Sequence, residues 1–98
     1  MAKTATMDPA RQAYQDKMQA QIDLWKSQIN GLRAKLQMMD ANNRINGQRQ
    51  LQKIEDRYEQ ITKDFERLSS ASTSKWEEIK LSVTAAADQI GREIQQFR

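Results

Sequence analysis

The stretch of residues 51–68, LQKIEDRYEQITKDFERL, decides the fold of this chain. Its apolar residues are spaced 3, 4, 3, 4 and 3 positions apart, which places them on one side of an α-helix. This apolar row consists of Leu51, Ile54, Tyr58, Ile61, Phe65 and Leu68. Because a helix cannot bury its own stripe, the pattern predicts that another helix packs against it.

A second apolar row of the same kind precedes this stretch. Its spacings are 4, 4, 3, 4, 3, 4 and 3, and it consists of Tyr14, Met18, Ile22, Trp25, Ile29, Leu32, Leu36 and Met39. Asp8 and Pro9 form a strong helix start, because Asp caps free amides of the first turn and Pro fits the first helical position. We therefore predict a helix from about residue 9, with residues 1–7 as a flexible tail.

A third helix is predicted after a serine-rich turn at residues 69–74. Five hydroxyl residues and one Ala make up this segment, and hydroxyl side chains compete with the helix for backbone hydrogen bonds. Ser74 and Glu77 then match the capping-box pattern, which predicts a returning helix over about residues 75–97. Its apolar row consists of Trp76, Ile79, Val83, Ala87, Ile90, Ile94 and Phe97. We expect an antiparallel hairpin in which Trp76 packs near the 65–68 end of the preceding helix.

The segment between the first two rows, residues 40–47, permits two interpretations. Its three Asn residues and one Gly are poor helix formers and favour a turn at about residues 42–47. However, Leu36 and Ile54 are 18 residues apart, a whole number of helical turns, and Asp40 to Arg44 has the order of a favourable i, i+4 ion pair. A continuous helix over about residues 9–69 is therefore the other interpretation.

The two interpretations predict different assemblies. With a continuous helix, the protein is an antiparallel coiled-coil hairpin whose N-terminal row has no partner in its own chain. Such a long apolar row favours a homo-oligomer or the binding of another helical protein, centred on Ile22, Trp25, Ile29, Leu32 and Leu36. With a turn, the chain is a monomeric three-helix bundle. We expect the hairpin and the oligomer.

The residue composition argues against an enzyme or a metal protein. The chain of 98 residues contains no Cys and no His, which removes the usual zinc, haem and copper ligands and the commonest general base. The acidic residues of the second helix alternate with Lys and Arg, as on a solvated face. They are Glu55, Asp56, Glu59, Asp64 and Glu66. We expect a single non-enzymatic domain without cofactor, and, since no apolar run approaches a membrane span, a cytoplasmic location.

Basic residues are concentrated only around the middle of the chain. Arg33, Lys35, Arg44, Arg49 and Lys53 outnumber the acidic residues there. These side chains would contact phosphates if the protein bound nucleic acid or another polyanion. Weak polyanion binding is therefore the alternative to helix–helix association as a function.

Three stretches resemble a family of small bacterial coiled-coil proteins, found in cyanobacteria and proteobacteria and named for stress response. They are residues 18–34 (MQAQIDLWKSQINGLRA), 52–68 (QKIEDRYEQITKDFERL) and 74–83 (SKWEEIKLSV). The Asn-rich segment at residues 40–47 departs from the acidic, Ala-rich helix of such relatives. The resemblance implies a cytoplasmic, stress-linked helical protein and carries no catalytic residues.

Overall fold

The computed structural model of the protein describes residues 9–97, apart from the side chain of Thr73. Within that range the chain forms three α-helices and no strand: α1 (Pro9–Gln37), α2 (Ala41–Ser69) and α3 (Thr73–Gln96). The expected all-α fold is confirmed for these residues. The helices lie side by side in a body of 58 × 19 × 16 Å, with α2 packed against both neighbours. The expected tail at residues 1–7 and the Asp8 cap lie outside the described residues.

The span expected as one helix over residues 9–69 is divided in this structure at residues 38–40. The backbone N–H groups of Met38 and Met39 donate to the carbonyls of Lys35 and Leu36, at 3.0 and 3.1 Å, and close the last turn of α1. Asp40 is then extended, with φ −70° and ψ 168°. The interruption thus comes before the segment 42–47, where a turn was the alternative interpretation, and that segment belongs to α2.

The interruption lies at Asp40 because the carboxylate of this residue caps the N-terminus of α2. One carboxylate oxygen accepts a hydrogen bond from the backbone N–H of Asn43 at 2.9 Å, and the other accepts from the Asn43 side chain at 3.2 Å. Asp40 therefore does not form the expected i, i+4 ion pair with Arg44. Instead, the Arg44 guanidinium donates to the carbonyl of Met39 at 2.9 Å. Asn43, one of the Asn residues that suggested a turn, thus supports the start of a helix.

Gly47 lies where α2 comes close to the ends of both other helices. A Cβ atom built on Gly47 would lie 2.5 Å from Leu36 Cδ1, 3.3 Å from Met39 Sδ and 3.7 Å from Phe97 Cζ. The missing side chain thus makes room for the end of α1. This close approach explains a glycine on the buried face of a helix, where glycine is otherwise unfavourable.

The second connection, residues 70–72, follows the expected serine-rich turn, but its cap differs from the prediction. Ser72, and not Ser74, caps α3, and its hydroxyl accepts from the backbone N–H of Lys75 at 3.4 Å. Ser74 lies inside the first turn. Both serines offer the same capping chemistry, so the pattern placed the start of the helix about two residues late.

The core is formed by apolar residues from all three helices. Those that are at most 8% exposed are Met18, Ile22, Trp25, Ile29, Leu36, Leu51, Ile54, Ile61, Leu68, Trp76, Ile79, Val83, Ile90 and Phe97. They form a single cluster, and every buried member belongs to one of the three predicted rows. The sequence spacing therefore identifies the buried face of each helix.

Candidate functional site

The apolar row of α1, expected as the oligomer interface, lies in the core of its own chain in this structure. Met18, Ile22, Trp25, Ile29 and Leu36 are buried. The remaining members of the row, Tyr14, Leu32 and Met39, are partly buried against the same cluster. A second molecule therefore reaches this row only if α1 leaves its place on α2 and α3.

The expected hairpin seam joins α2 to α3. Its buried members are Leu51, Ile54, Ile61, Leu68, Trp76, Ile79, Val83 and Ile90, and its partly buried members are Tyr58, Phe65 and Ile94. At the edge of the seam, the Arg57 guanidinium donates to both carboxylate oxygens of Glu93, at 2.7 and 2.8 Å. Both contacts come from Arg57 Nε, so one charge-assisted N–H group is shared between the two oxygens. The α2–α3 pair is thus tied by an apolar seam and an ion pair.

Aromatic and cationic side chains hold the start of α1 against the start of α3. Tyr14 and Trp76 meet edge to face with ring centroids 5.7 Å apart, and the Tyr14 hydroxyl lies 3.0 Å from the Thr84 hydroxyl. The Arg11 guanidinium lies 5.0 Å from the centroid of the Trp76 ring, and Lys80 Nζ lies 5.1 Å from that of Tyr14. Each cation–π contact contributes about 0.5–1 kcal/mol at an exposed site.

The Trp76 indole is one of the most enclosed side chains in this cluster. It is 3% exposed, and its buried N–H has no hydrogen-bond partner among the described residues. A buried unpartnered donor costs about 1–3 kcal/mol. Trp76 therefore stabilises the cluster through its ring contacts and its packing, and its polar group contributes no hydrogen bond among the described residues.

Further along, a groove separates α1 from α3. It is lined by Met18 and Trp25, which are themselves buried, and by Ala87 and Gly91, among others. A Cβ built on Gly91 would meet nothing within 4 Å, so there is open space beside this residue. The backbones of α1 and α3 come close to each other at far fewer positions than either backbone comes close to that of α2. The backbone of α1 therefore lies against α2 more than against α3.

A second groove runs between α1 and α2, and it is polar. The Arg33 guanidinium bridges it to the Glu55 carboxylate, at 2.6 Å, and also donates to the Asn30 side-chain oxygen at 2.7 Å. Lys26, Asp56 and Glu59 line the same groove, whose volume is about 440 Å³. This surface combines both signs of charge, so it offers no single charge to a ligand.

The basic residues expected to contact a polyanion do not all share a surface. Arg33 and Arg44 line one groove beside Leu36, but Arg33 is paired with Glu55 and Arg44 donates to a backbone carbonyl. Lys53 lines a different groove, between α2 and α3. Lys35 and Arg49 are exposed. Of the five, only Arg33 and Arg44 line a common groove.

Asp64 differs from the other acidic residues expected on a solvated face, because it is buried. Its side chain is 8% exposed, and one carboxylate oxygen accepts from Gln60 at 3.2 Å and from Arg67 at 3.3 Å. The alternation of charges along α2 could not reveal this, because Asp64 lies at the edge of the apolar row. Across residues 9–97 no group of three or more carboxylates is arranged to hold a metal ion.

Two further observations concern the chain as a whole. None of the helices in the described part of the chain is long and apolar enough to cross a membrane. Comparison of the chain with protein-family models, with curated proteins and with solved structures gives no match. The resemblance to the stress-linked coiled-coil family therefore remains a prediction.

Proposed function

We propose that this chain is a non-enzymatic interaction protein that works by helix–helix association, with a second copy of itself as the first partner. The observation that supports this proposal is the one-sided attachment of α1. That helix carries a long apolar row, yet its backbone lies against α2 more than against α3, and a groove separates it from α3. Of the three helices, α1 is the one that a partner can most readily replace.

The energetics of α1 favour a role in association. Burying one large apolar side chain contributes about 1.5–3 kcal/mol. The row from Met18 to Leu36 contains five such buried side chains, so a helix that offers an equivalent row can compete for the same position. Its polar ties include the ion pair of Arg33 with Glu55 and the contacts of Tyr14 with Thr84 and Lys80. Exposed ion pairs of this kind contribute at most about 1 kcal/mol.

In this proposal the resting form is a monomeric three-helix bundle, and the associated form is a homo-oligomer with a coiled-coil seam. The same α1 residues serve in both forms, as core in one and as interface in the other. Their burial in the single chain is thus compatible with the interface expected from the sequence. The proposal also places the protein in the cytoplasm, and the link to stress comes only from the family resemblance.

Weak polyanion binding is the competing proposal, and it rests on the pair of Arg33 and Arg44 beside Leu36. The dependence of binding on salt concentration distinguishes polyanion binding from helix–helix association. Affinity for a polyanion falls steeply as salt rises, because bound counterions are released. Association through an apolar seam is maintained or strengthened by salts that are excluded from the protein surface.

The proposed function is tested by the molar mass of the protein in solution. Light scattering over a series of concentrations, at low and at high salt, should show a mass that rises above that of the monomer. The rise should persist at high salt. A monomer at every concentration up to the millimolar range would refute association with itself, and binding to a duplex of mixed sequence that disappears with added salt would favour the alternative.

A further inference from the structure

We propose that two copies of this chain associate by exchanging α1, through straightening of the connection at residues 38–40. In the exchanged dimer, α1 and α2 of one chain form a continuous helix, and α1 packs on α2 and α3 of the other chain. This inference specifies the partner and the geometry of the proposed function, and therefore rests on it. The next three observations support it.

The first observation is the phase of the apolar rows across the connection. Leu36 is the last buried residue of α1 and Ile54 is central in the seam of α2, and 18 residues separate them. At 3.6 residues per turn this is five complete turns. If residues 38–40 become helical, the two rows therefore join into one continuous stripe. A second chain, placed antiparallel, can cover that stripe with the same contacts that the closed chain makes internally.

The second observation is the chemistry of the connection. It consists of Met38, Met39 and Asp40, with no Gly and no Pro, and no described residue has a positive φ. Met is a good helix former, so the backbone of these residues is able to adopt helical angles. Met38 is 88% exposed and has little packing to lose. Apart from the two backbone bonds that close α1, the bend is held by the Asp40 cap and the Arg44 contact to Met39.

The third observation is that the buried residues of α1, from Met18 to Leu36, all lie outside the connection, so exchange conserves the core. Each contact of α1 with α2 and α3 is re-formed with the other chain, including the close approach of Leu36 to Gly47. Only the connection itself changes its environment. Short connections and the exchange of an identical element are known low-cost routes to dimers. The balance between the closed and exchanged forms is then set by protein concentration and by the conformation of residues 38–40.

A proline at residue 41 distinguishes the two forms. Ala41 is the first residue of α2, a position where proline is tolerated, and Asp40 before it already has the extended conformation that a residue preceding proline prefers. In the continuous helix the same position is interior, where proline removes a hydrogen bond and clashes with the preceding turn. Ala41→Pro should therefore weaken dimerisation by about 100-fold or more. Ala41→Ser is the matched control and should dimerise like the unmodified chain.

Cross-linking between chains then identifies which helix is exchanged. The protein has no Cys, so single cysteines are unique labels. Arg33 of α1 and Glu55 of α2 are in contact, as are Arg57 of α2 and Glu93 of α3. A chain with Arg33→Cys is mixed with a chain with Glu55→Cys, refolded at high concentration and treated with a short bismaleimide. The control mixture pairs Arg57→Cys with Glu93→Cys.

If α1 is exchanged, cross-linked pairs of chains should form in the Arg33/Glu55 mixture, because α1 of one chain then contacts α2 of the other. Few should form in the Arg57/Glu93 mixture, because α2 and α3 of one chain stay together. Addition of Ala41→Pro to both chains should abolish the cross-link. A dimer that persists with Ala41→Pro, or that gives no Arg33/Glu55 cross-link, would overturn the exchange and leave the proposed self-association intact. A chain that remains a monomer in all these experiments would overturn both.

Discussion

The two connections between helices differ in the side-chain hydrogen bonds that end one helix and begin the next. At residues 70–72, hydroxyl side chains act on both sides: Ser69 and Ser70 donate to the carbonyls of Glu66 and Arg67, and Ser72 caps α3. At residues 38–40, two Met side chains contribute no polar contact, and the interruption depends on the Asp40 cap and on Arg44. Backbone hydrogen bonds close the preceding helix at both connections, but only at residues 70–72 do hydroxyl side chains add hydrogen bonds to that helix end.

This comparison shows that the phase of the apolar rows does not decide where the chain turns. Ile61 and Ile79 are also 18 residues apart, so the rows of α2 and α3 are as well aligned as those of α1 and α2. What differs is the local competition for backbone hydrogen bonds, which serine and threonine provide and methionine does not. We therefore expect the 38–40 connection, and not the serine-rich one, to be the site of conformational change.

The largest expected difference in the free energy of unfolding is between alanine variants of Trp76 and Met38. Trp76 follows the serine-rich connection, and Met38 lies in the other connection. Trp76→Ala removes a 3% exposed ring and its contact with Tyr14, and should lower the free energy of unfolding by about 3 kcal/mol, the low end for a large aromatic residue. Met38→Ala, at a site 88% exposed, should change it by less than about 0.5 kcal/mol. Urea denaturation followed by circular dichroism measures both.

Trp76→Phe is the control for this pair. It keeps an aromatic ring in the cluster and removes the unpartnered indole N–H, so its loss of stability should be well below that of Trp76→Ala. Equal stability of Trp76→Ala and the unmodified protein would mean that the start of α3 is not packed on α1 as described.

The two caps give the next prediction. Asp40→Ala and Ser72→Ala each remove a side chain that accepts from the first turn of a helix, and each should cost about 1 kcal/mol of stability. Only Asp40→Ala should also raise the dimer fraction, because only that cap opposes a continuous α1–α2 helix. Sedimentation velocity at matched concentrations measures the fraction. An equal rise in both variants would show that the two connections do not differ in the way we infer.

Alanine substitutions at two glycines should have the smallest effect on stability. Gly31 is exposed, and a Cβ there meets nothing within 4 Å, so Gly31→Ala should stabilise the protein by up to about 1 kcal/mol through helix propensity. Gly47→Ala should stabilise it less, or destabilise it, because the new Cβ would lie 2.5 Å from Leu36 Cδ1 and force that buried side chain to shift. Thermal unfolding compares the two. If Gly47→Ala is as stabilising as Gly31→Ala, the close approach beside the first connection is absent.

The sequence predicted the helical class, the buried face of each helix and the serine-rich turn, because these depend on local spacing and composition. It did not place the first interruption, because Asp40 is able to cap a helix or to pair with Arg44, and only the packed structure decides between these roles. It also misplaced Asp64, whose burial depends on how the helices pack and not on the local alternation of charges. The partner of the α1 row was open at the sequence level for the same reason, since an apolar row does not specify which chain covers it.

Small-angle X-ray scattering over a concentration series tests the exchange of α1 most directly. The closed chain extends over 58 Å. A continuous helix over residues 9–69 extends over roughly 90 Å at 1.5 Å per residue. We predict that the maximum dimension approaches the larger value as concentration rises, and that Ala41→Pro keeps it near the smaller one. Particles that double in mass without exceeding about 60–70 Å in length, shorter than the helix length set by that rise, would contradict the account.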